Sequence, residues 1–202
     1  FKFGVGRFFV FEADESDKSL VAFTPDYSVI LNLGTDHYSK EELIEVFEKF
    51  LRNTKKGAVI EKQVYDQLNP ESYRHLKTVL FLSNDIKNKK NSIWLLGDYC
   101  IQNGTAKANC IKNELRISLK LPVPGIHNAA NALSIFALTD LLELDNTYSD
   151  IVAEIESFKG VHRRFEYVGK TEQGAVVYDD YAHNVEKIAS AVATAQDVIS
   201  GR

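Results

Sequence analysis

Nearly continuous apolar runs recur along the first 83 residues, and helical patterns separate them; this alternation narrows the fold more than any other feature. Residues 7–11, 27–33, 57–60 and 78–83 are rich in aromatic, aliphatic and β-branched side chains and lack the strict alternation of a half-exposed strand. Strands of that kind are buried on both faces and belong to parallel sheets covered by helices. After the second run, Ser39 with Glu42 three residues on is a capping-box signature. Leu43, Ile44, Phe47, Phe50 and Leu51 then recur on one helical face, and residues 64–68 read as a short helix. The order predicts an α/β fold, a mainly parallel sheet flanked by helices.

The texture changes after residue 91. Residues 92–96, 99–103, 106–111 and 114–121 read as strands, with turns at Gly97-Asp98 and Asn103-Gly104, and the Asn-Gly pair is a strong hairpin signal. This predicts an antiparallel β extension without chemistry of its own. Pro122-Val123-Pro124-Gly125 breaks the chain, a long Ala- and Leu-rich helix follows over 126–142, and another over 149–158. Lys159-Gly160 ends that helix, so a domain boundary is expected there: residues 1–159, then 160–202. The second piece reads as one strand (175–178) and one helix (186–198), the start of a Rossmann-like α/β domain too small to bury a core of its own.

Composition excludes several function classes. The chain is 45% hydrophobic and 26% charged with a net charge of −4, and it has no basic stripe for nucleic acid. Lys87 to Lys90 reads as a solvated loop. No apolar run reaches the ~18 residues of a membrane span, and no signal peptide is recognisable. Two cysteines, Cys100 and Cys110, are placed to face each other across a hairpin, yet read as reduced structural thiols.

Chemistry concentrates at strand ends, where α/β proteins bind ligands. The run at 7–11 ends in Glu12-Ala13-Asp14-Glu15-Ser16-Asp17, four carboxylates in six residues. This is either a solvated loop or a divalent-cation site, since Mg²⁺ prefers carboxylate and water oxygens with substrate phosphates. The run at 27–33 ends in Gly34-Thr35-Asp36-His37, so two adjacent strands would offer metal or phosphate ligands on one rim. Asn128 and Asn131 share a helix face near its start; two amides there either read a planar base or cap the helix. The Gly-led segment Gly160-Val161-His162-Arg163-Arg164-Phe165-Glu166 reads as a hinge, its adjacent arginines pointing opposite ways if extended. A strand then delivers Asp179, Asp180, Tyr181 and His183.

These motifs, in this order and spacing, resemble the Mur ligases, the ATP-dependent amide-forming enzymes of peptidoglycan precursor synthesis. The resemblance rests on the acidic motif at 12–17, Asn32 with Asp36-His37, Gly125-x-His127-Asn128-x-x-Asn131-Ala132, the Arg163-Arg164-Phe165-Glu166 hinge and Asp179-Asp180-Tyr181-Ala182-His183. It implies that Glu12 and His37 hold Mg²⁺ and, with Arg164, serve the phosphoryl transfer, with Asp36 beside them on the rim. It also implies that Asn131 contacts adenine with His127 and Asn128 in support, which overrides the capping alternative. Arg164 reaches the nucleotide from the hinge, Asp180 holds the ribose, and His183 lies where a C-terminal domain approaches ATP. The implied reaction phosphorylates a carboxylate and lets an amine displace the phosphate. The acidic motif and the doubled arginine are most similar to the branch that joins L-alanine to UDP-N-acetylmuramate; the branch recycling a murein tripeptide is a rival, and a non-catalytic nucleotide-binding relative a second. The expected setting is the bacterial cytoplasm. The family's phosphate loop, G-x-x-x-x-G-K-[ST], does not occur here, and the chain opens on Phe1-Lys2-Phe3 without Met. A fragment that does not catalyse by itself is therefore expected.

Overall fold

Five consecutive residues, Gly57 to Glu61, are all buried, and the layers around them explain why. Val59 faces one way, into a cluster with Phe81, Trp94, Leu133 and Phe136. Ala58 and Ile60 face the other way, against Ile30, Leu51 and Val64. A strand covered on both sides has no use for alternating polar residues. In this computed structural model the described residues are 6–13, 15–34, 38–83, 93–102, 105–144 and 148–200.

The central sheet runs in the order β1 (Tyr27–Ile30), β2 (Gly57–Glu61), β3 (Lys77–Leu82), β4 (Trp94–Gln102), β5 (Thr105–Lys112) and β6 (Leu115–Leu121). The first four strands pair in parallel, and β4, β5 and β6 pair antiparallel. Helix α1 (Lys40–Asn53) and the short α2 (Lys62–Tyr65) lie on one face; α3 (Ile126–Leu141) covers β2, β3 and β4 on the other, and α4 (Tyr148–Ser157) packs on β6. The predicted capping box starts α1, with Ser39 Oγ accepting from the Glu42 N–H and Glu42 accepting from the Ser39 N–H. The α/β fold with a mainly parallel sheet is therefore present.

Three readings are corrected. Residues 7–11 form no strand, and Phe9 and Val10 are 85% and 84% exposed. Their rings associate locally instead, Phe9 with Phe11 at 5.8 Å and Phe11 with Phe23 at 4.8 Å. An apolar run becomes a strand only where a neighbour supplies its backbone hydrogen bonds, and among the described residues none pairs with this one. Second, Gly97-Asp98 is a β-bulge inside a single β4, with Leu96 opposite Cys110 but Tyr99 opposite Ala108. Third, the cysteines do not face each other: Cys100 lies opposite Lys107, and both thiols are free. Burial pushes the Cys110 thiol up to about 12.

The C-terminal piece carries a strand that sequence reading missed. β7 (Glu166–Lys170) and β8 (Val176–Asp179) form an antiparallel hairpin, and α5 (Val185–Ser200) follows. Gly169, at the irregularity in this ladder, interrupts the apolar pattern that would have announced β7.

Candidate functional site

Helix α3 runs against the direction of the parallel strands. Its last residue, Leu141, touches Gly57 at the start of β2, so its first turn opens toward the strand carboxyl ends. Ligands collect on that rim, and the exposed N–H groups of a helix start favour anions there.

Gly125 precedes α3 with φ 120°, and a Cβ on it would sit 2.5 Å from the His127 ring and 3.1 Å from Thr194 Oγ1. Only glycine fits this approach. His127, Asn128 and Asn131 then share the first turns. Neither amide caps the helix: Gly125 is the cap residue, and Asn128 Nδ2 donates to the Pro124 carbonyl at 2.8 Å. The Asn131 side chain is exposed and makes no hydrogen bond among the described residues. His127 Nδ1 meets Ser190 Oγ of α5 at 3.0 Å. Desolvation of the imidazole against Gly125 and α5 holds it below its ordinary pKa; Asp180 opposes that shift and Arg164 adds to it.

Those two charges place the hinge beside the start of α3. Asp180 works as a clasp: Oδ2 accepts from the Phe165 N–H and Oδ1 from the Ala182 N–H, both at 2.8 Å. The Tyr181 N–H donates to the Arg163 carbonyl at 2.8 Å. Arg163 and Phe165 both have left-handed backbone, at φ 60° and 47°. That turn corrects the extended reading of the doubled arginine. Both guanidinium groups come over the Tyr181 ring, 4.6 Å and 5.9 Å from its centre, and Arg163 also approaches Asp179 at 3.8 Å. His183 Nδ1 donates to the Tyr181 carbonyl at 2.9 Å, which leaves Nε2 as the acceptor nitrogen. Arg164, Asp180, His183 and the α3 residues thus belong to one neighbourhood.

Glu12 is exposed in irregular chain, and Asp36 and His37 lie outside the described residues. Glu12 offers one hard oxygen donor, which suits Mg²⁺. Among the described residues no three His, Cys, Asp or Glu side chains gather as a metal site.

Sequence reading stopped at His183 and so missed α5's contribution. Asn184 caps α5, its Oδ1 accepting from the Lys187 N–H at 2.8 Å, while its buried Nδ2 has no partner among the described residues. An Asn just before an Ala-rich helix is a legible cap signal. Nothing in the sequence announces the Ser190 contact.

Residues 5–139 match the profile of the Mur ligase middle domain, and residues 163–202 that of the Mur ligase, glutamate ligase domain. The UDP-N-acetylmuramate--L-alanine ligase of Acetivibrio thermocellus is 32% identical over 209 residues, covering 96% of this chain and 42% of that protein. The Thermotoga petrophila enzyme of the same name is 34% identical over 196 residues, covering 94% of this chain and 40% of its own length. Among solved structures, the UDP-N-acetylmuramate-alanine ligase of Thermotoga maritima superposes with a TM-score of 0.72 at 33% identity, over 93% of this chain and 42% of that one. The chain thus spans less than half the length of these relatives. With one profile matching most of the residues before the hinge and another those after it, the chain belongs to the Mur ligase family.

Proposed function

We propose that this chain is the nucleotide-binding middle part, with the beginning of the C-terminal domain, of an ATP-dependent ligase that joins L-alanine to the carboxylate of UDP-N-acetylmuramate. The observation that carries the reading is the gathering of polar side chains at the start of α3, where His127 Nδ1 meets Ser190 Oγ at 3.0 Å and Asp180 and Arg164 lie within electrostatic range of the ring. This is a cationic, amide-lined corner on the carboxyl-end rim of a parallel sheet. The likeness to alanine-adding relatives at 32–34% identity supports the substrate pair. A MurF ligase of Thermotoga maritima solved with ADP shares the fold with a TM-score of 0.66.

In this reading the division falls at residues 159 and 160. ATP would be held by Asn131 and Asn128 toward the base, by Asp180 toward the sugar and by Arg164 toward the phosphates. When bound, it supplies the phosphoryl group that activates a carboxylate for amide formation. The residues of this chain position and neutralise. Arg164 presents a planar cation to phosphate oxygens. His127, held neutral, pairs with Ser190 without adding charge beside Arg164. His183 is exposed and stands edge-to-face with the Tyr181 ring at 5.1 Å. Glu12 and His37 are proposed Mg²⁺ ligands. The described residues contain no helix long and apolar enough to cross a membrane, and a cytoplasmic setting accords with ATP-driven work on a sugar nucleotide.

The test is phosphate release by the full-length ligase carrying this chain, with ATP, Mg²⁺ and UDP-N-acetylmuramate, adding amino acids one at a time. Release that requires both the sugar nucleotide and L-alanine supports the reading. Release only with a murein peptide transfers it to the recycling branch. A folded protein that binds ATP but releases nothing is a non-catalytic relative.

A further inference from the structure

The antiparallel extension looks inert in sequence, but it sends one side chain to the start of α3. The Tyr99 hydroxyl accepts the Gly125 N–H at 2.7 Å. Gly125 is the cap residue of α3 and brings no side chain to the helix start. Its carbonyl already serves the N–H groups of Asn128 and Ala129, at 3.0 and 3.3 Å. The left-handed peptide that sets where His127, Asn128 and Asn131 stand is thus tied to the sheet through one phenol.

The β-bulge makes that reach possible. Trp94 and Leu96 point into the core, and strict alternation from them would turn residues 98 and 100 inward. The extra residue at Gly97-Asp98 shifts the phase, so Tyr99 and Ile101 come onto the core face instead. A Cβ on Gly97 would lie 2.8 Å from Ile111 Cδ1 and 3.2 Å from the Asn109 carbonyl oxygen, so the two strands pack closely at the bulge. Bulges of this kind re-aim a side chain next to functional sites. The far end of α5 packs on the same core cluster as Tyr99 through Val198, and the Asp197 charge is felt at the phenol. Burial raises the pKa of the phenol, and the N–H that Gly125 donates to it acts in the opposite sense.

We propose that Tyr99 is a positioning residue for nucleotide binding, acting through Gly125 on the Asn128 and Asn131 face of α3. The proposal rests on the reading of α3 as the nucleotide site. Tyr99→Phe keeps the ring and removes the acceptor, so the Gly125 N–H loses its partner. The experiment follows the ¹⁵N-labelled chain by amide spectra during an ATP titration, with thermal melts alongside. In Tyr99→Phe the Gly125 amide resonance should move, and ATP should bind about five- to tenfold more weakly, the ratio expected for one hydrogen bond of about 1 kcal/mol. Trp94→Phe is the control, because it removes the 2.7 Å bond to Asp140 near the opposite end of α3. It should lower the melting temperature and leave ATP affinity unchanged. If Gly125 moves but both variants bind ATP as the wild type does, Tyr99 is merely structural and the proposal fails. An equal loss of affinity in both variants also overturns it, since general loosening of α3 would then suffice. If ATP perturbs no amide of α3 in the wild type, the nucleotide reading fails first and takes this role with it.

Discussion

Asp140 shows how a single carboxylate can hold two layers together. It accepts from Trp94 Nε1 and from the Tyr148 hydroxyl, each at 2.7 Å, and from Lys112 Nζ. Burial pushes its pKa up, but the bonds from Lys112, Tyr148 and Trp94 outweigh burial and hold it below the ordinary carboxylate range. A depressed carboxylate contributes stability that is present at neutral pH and lost as pH falls through its folded value. Asp140→Asn should therefore cost about 2 kcal/mol in urea unfolding at neutral pH, and the gap to wild type should close in acid. His127 behaves in the opposite sense. Its pKa is lowered, so the unfolded chain binds the proton more readily, and stability rises with pH through the window below the ordinary histidine value of about 6.5. In His127→Gln the part of that slope due to the imidazole should vanish, as read from melting temperatures between about pH 5 and pH 8.

Among the elements, α5 is amphipathic with its polar side turned inward. Ser190, Thr194 and Asp197 face the central layer, while Val185, Ile188, Val192 and Ile199 are 82%, 49%, 51% and 86% exposed on the opposite side. Replacing Ile188 and Val192 with Lys should leave the melting temperature of this chain within about 2 °C of wild type and reduce binding of a hydrophobic dye. A fall of many degrees would mean that the stripe is packed in solution. The helices were the most legible elements, since period and caps are local: α1, α3, α4 and α5 fall within a few residues of expectation. The run at 7–11 was misread because its composition is that of a buried strand while the pairing that makes a strand is not local. The site was legible by residue type and not by contact. Asn131, Arg164 and Asp180 stand out in sequence, but the clasp of Asp180 on the hinge amides and the gathering of both arginines over Tyr181 depend on left-handed turns at Arg163 and Phe165, which no glycine marks.

At the scale of the molecule, parallel strands β1 to β3 provide the rim, α3 points its first turn at it, and the hinge brings the C-terminal piece alongside. The sheet's antiparallel half reaches the start of α3 through the Tyr99 hydroxyl, which accepts from the Gly125 N–H. The bulge then sets how the arm tolerates changes of length. Residues added in pairs to the facing ends of β4 and β5, beyond Gln102 and Thr105, would lengthen the hairpin and keep every inward residue inward. Losing the single residue Asp98 would only straighten the strand: Tyr99, Cys100 and Ile101 would keep their sides and their partners Ala108, Lys107 and Ala106, whereas losing Cys100 would turn Ile101 outward and Gln102 inward. Deletion of Cys100 should therefore abolish cooperative unfolding, whereas deletion of Asp98 should leave it cooperative and a two-residue extension at the hairpin end should pass unnoticed in the same melt. Insertions and deletions among relatives are therefore expected to gather at the tip of this arm in even steps, and single losses within β4 to fall at its kink.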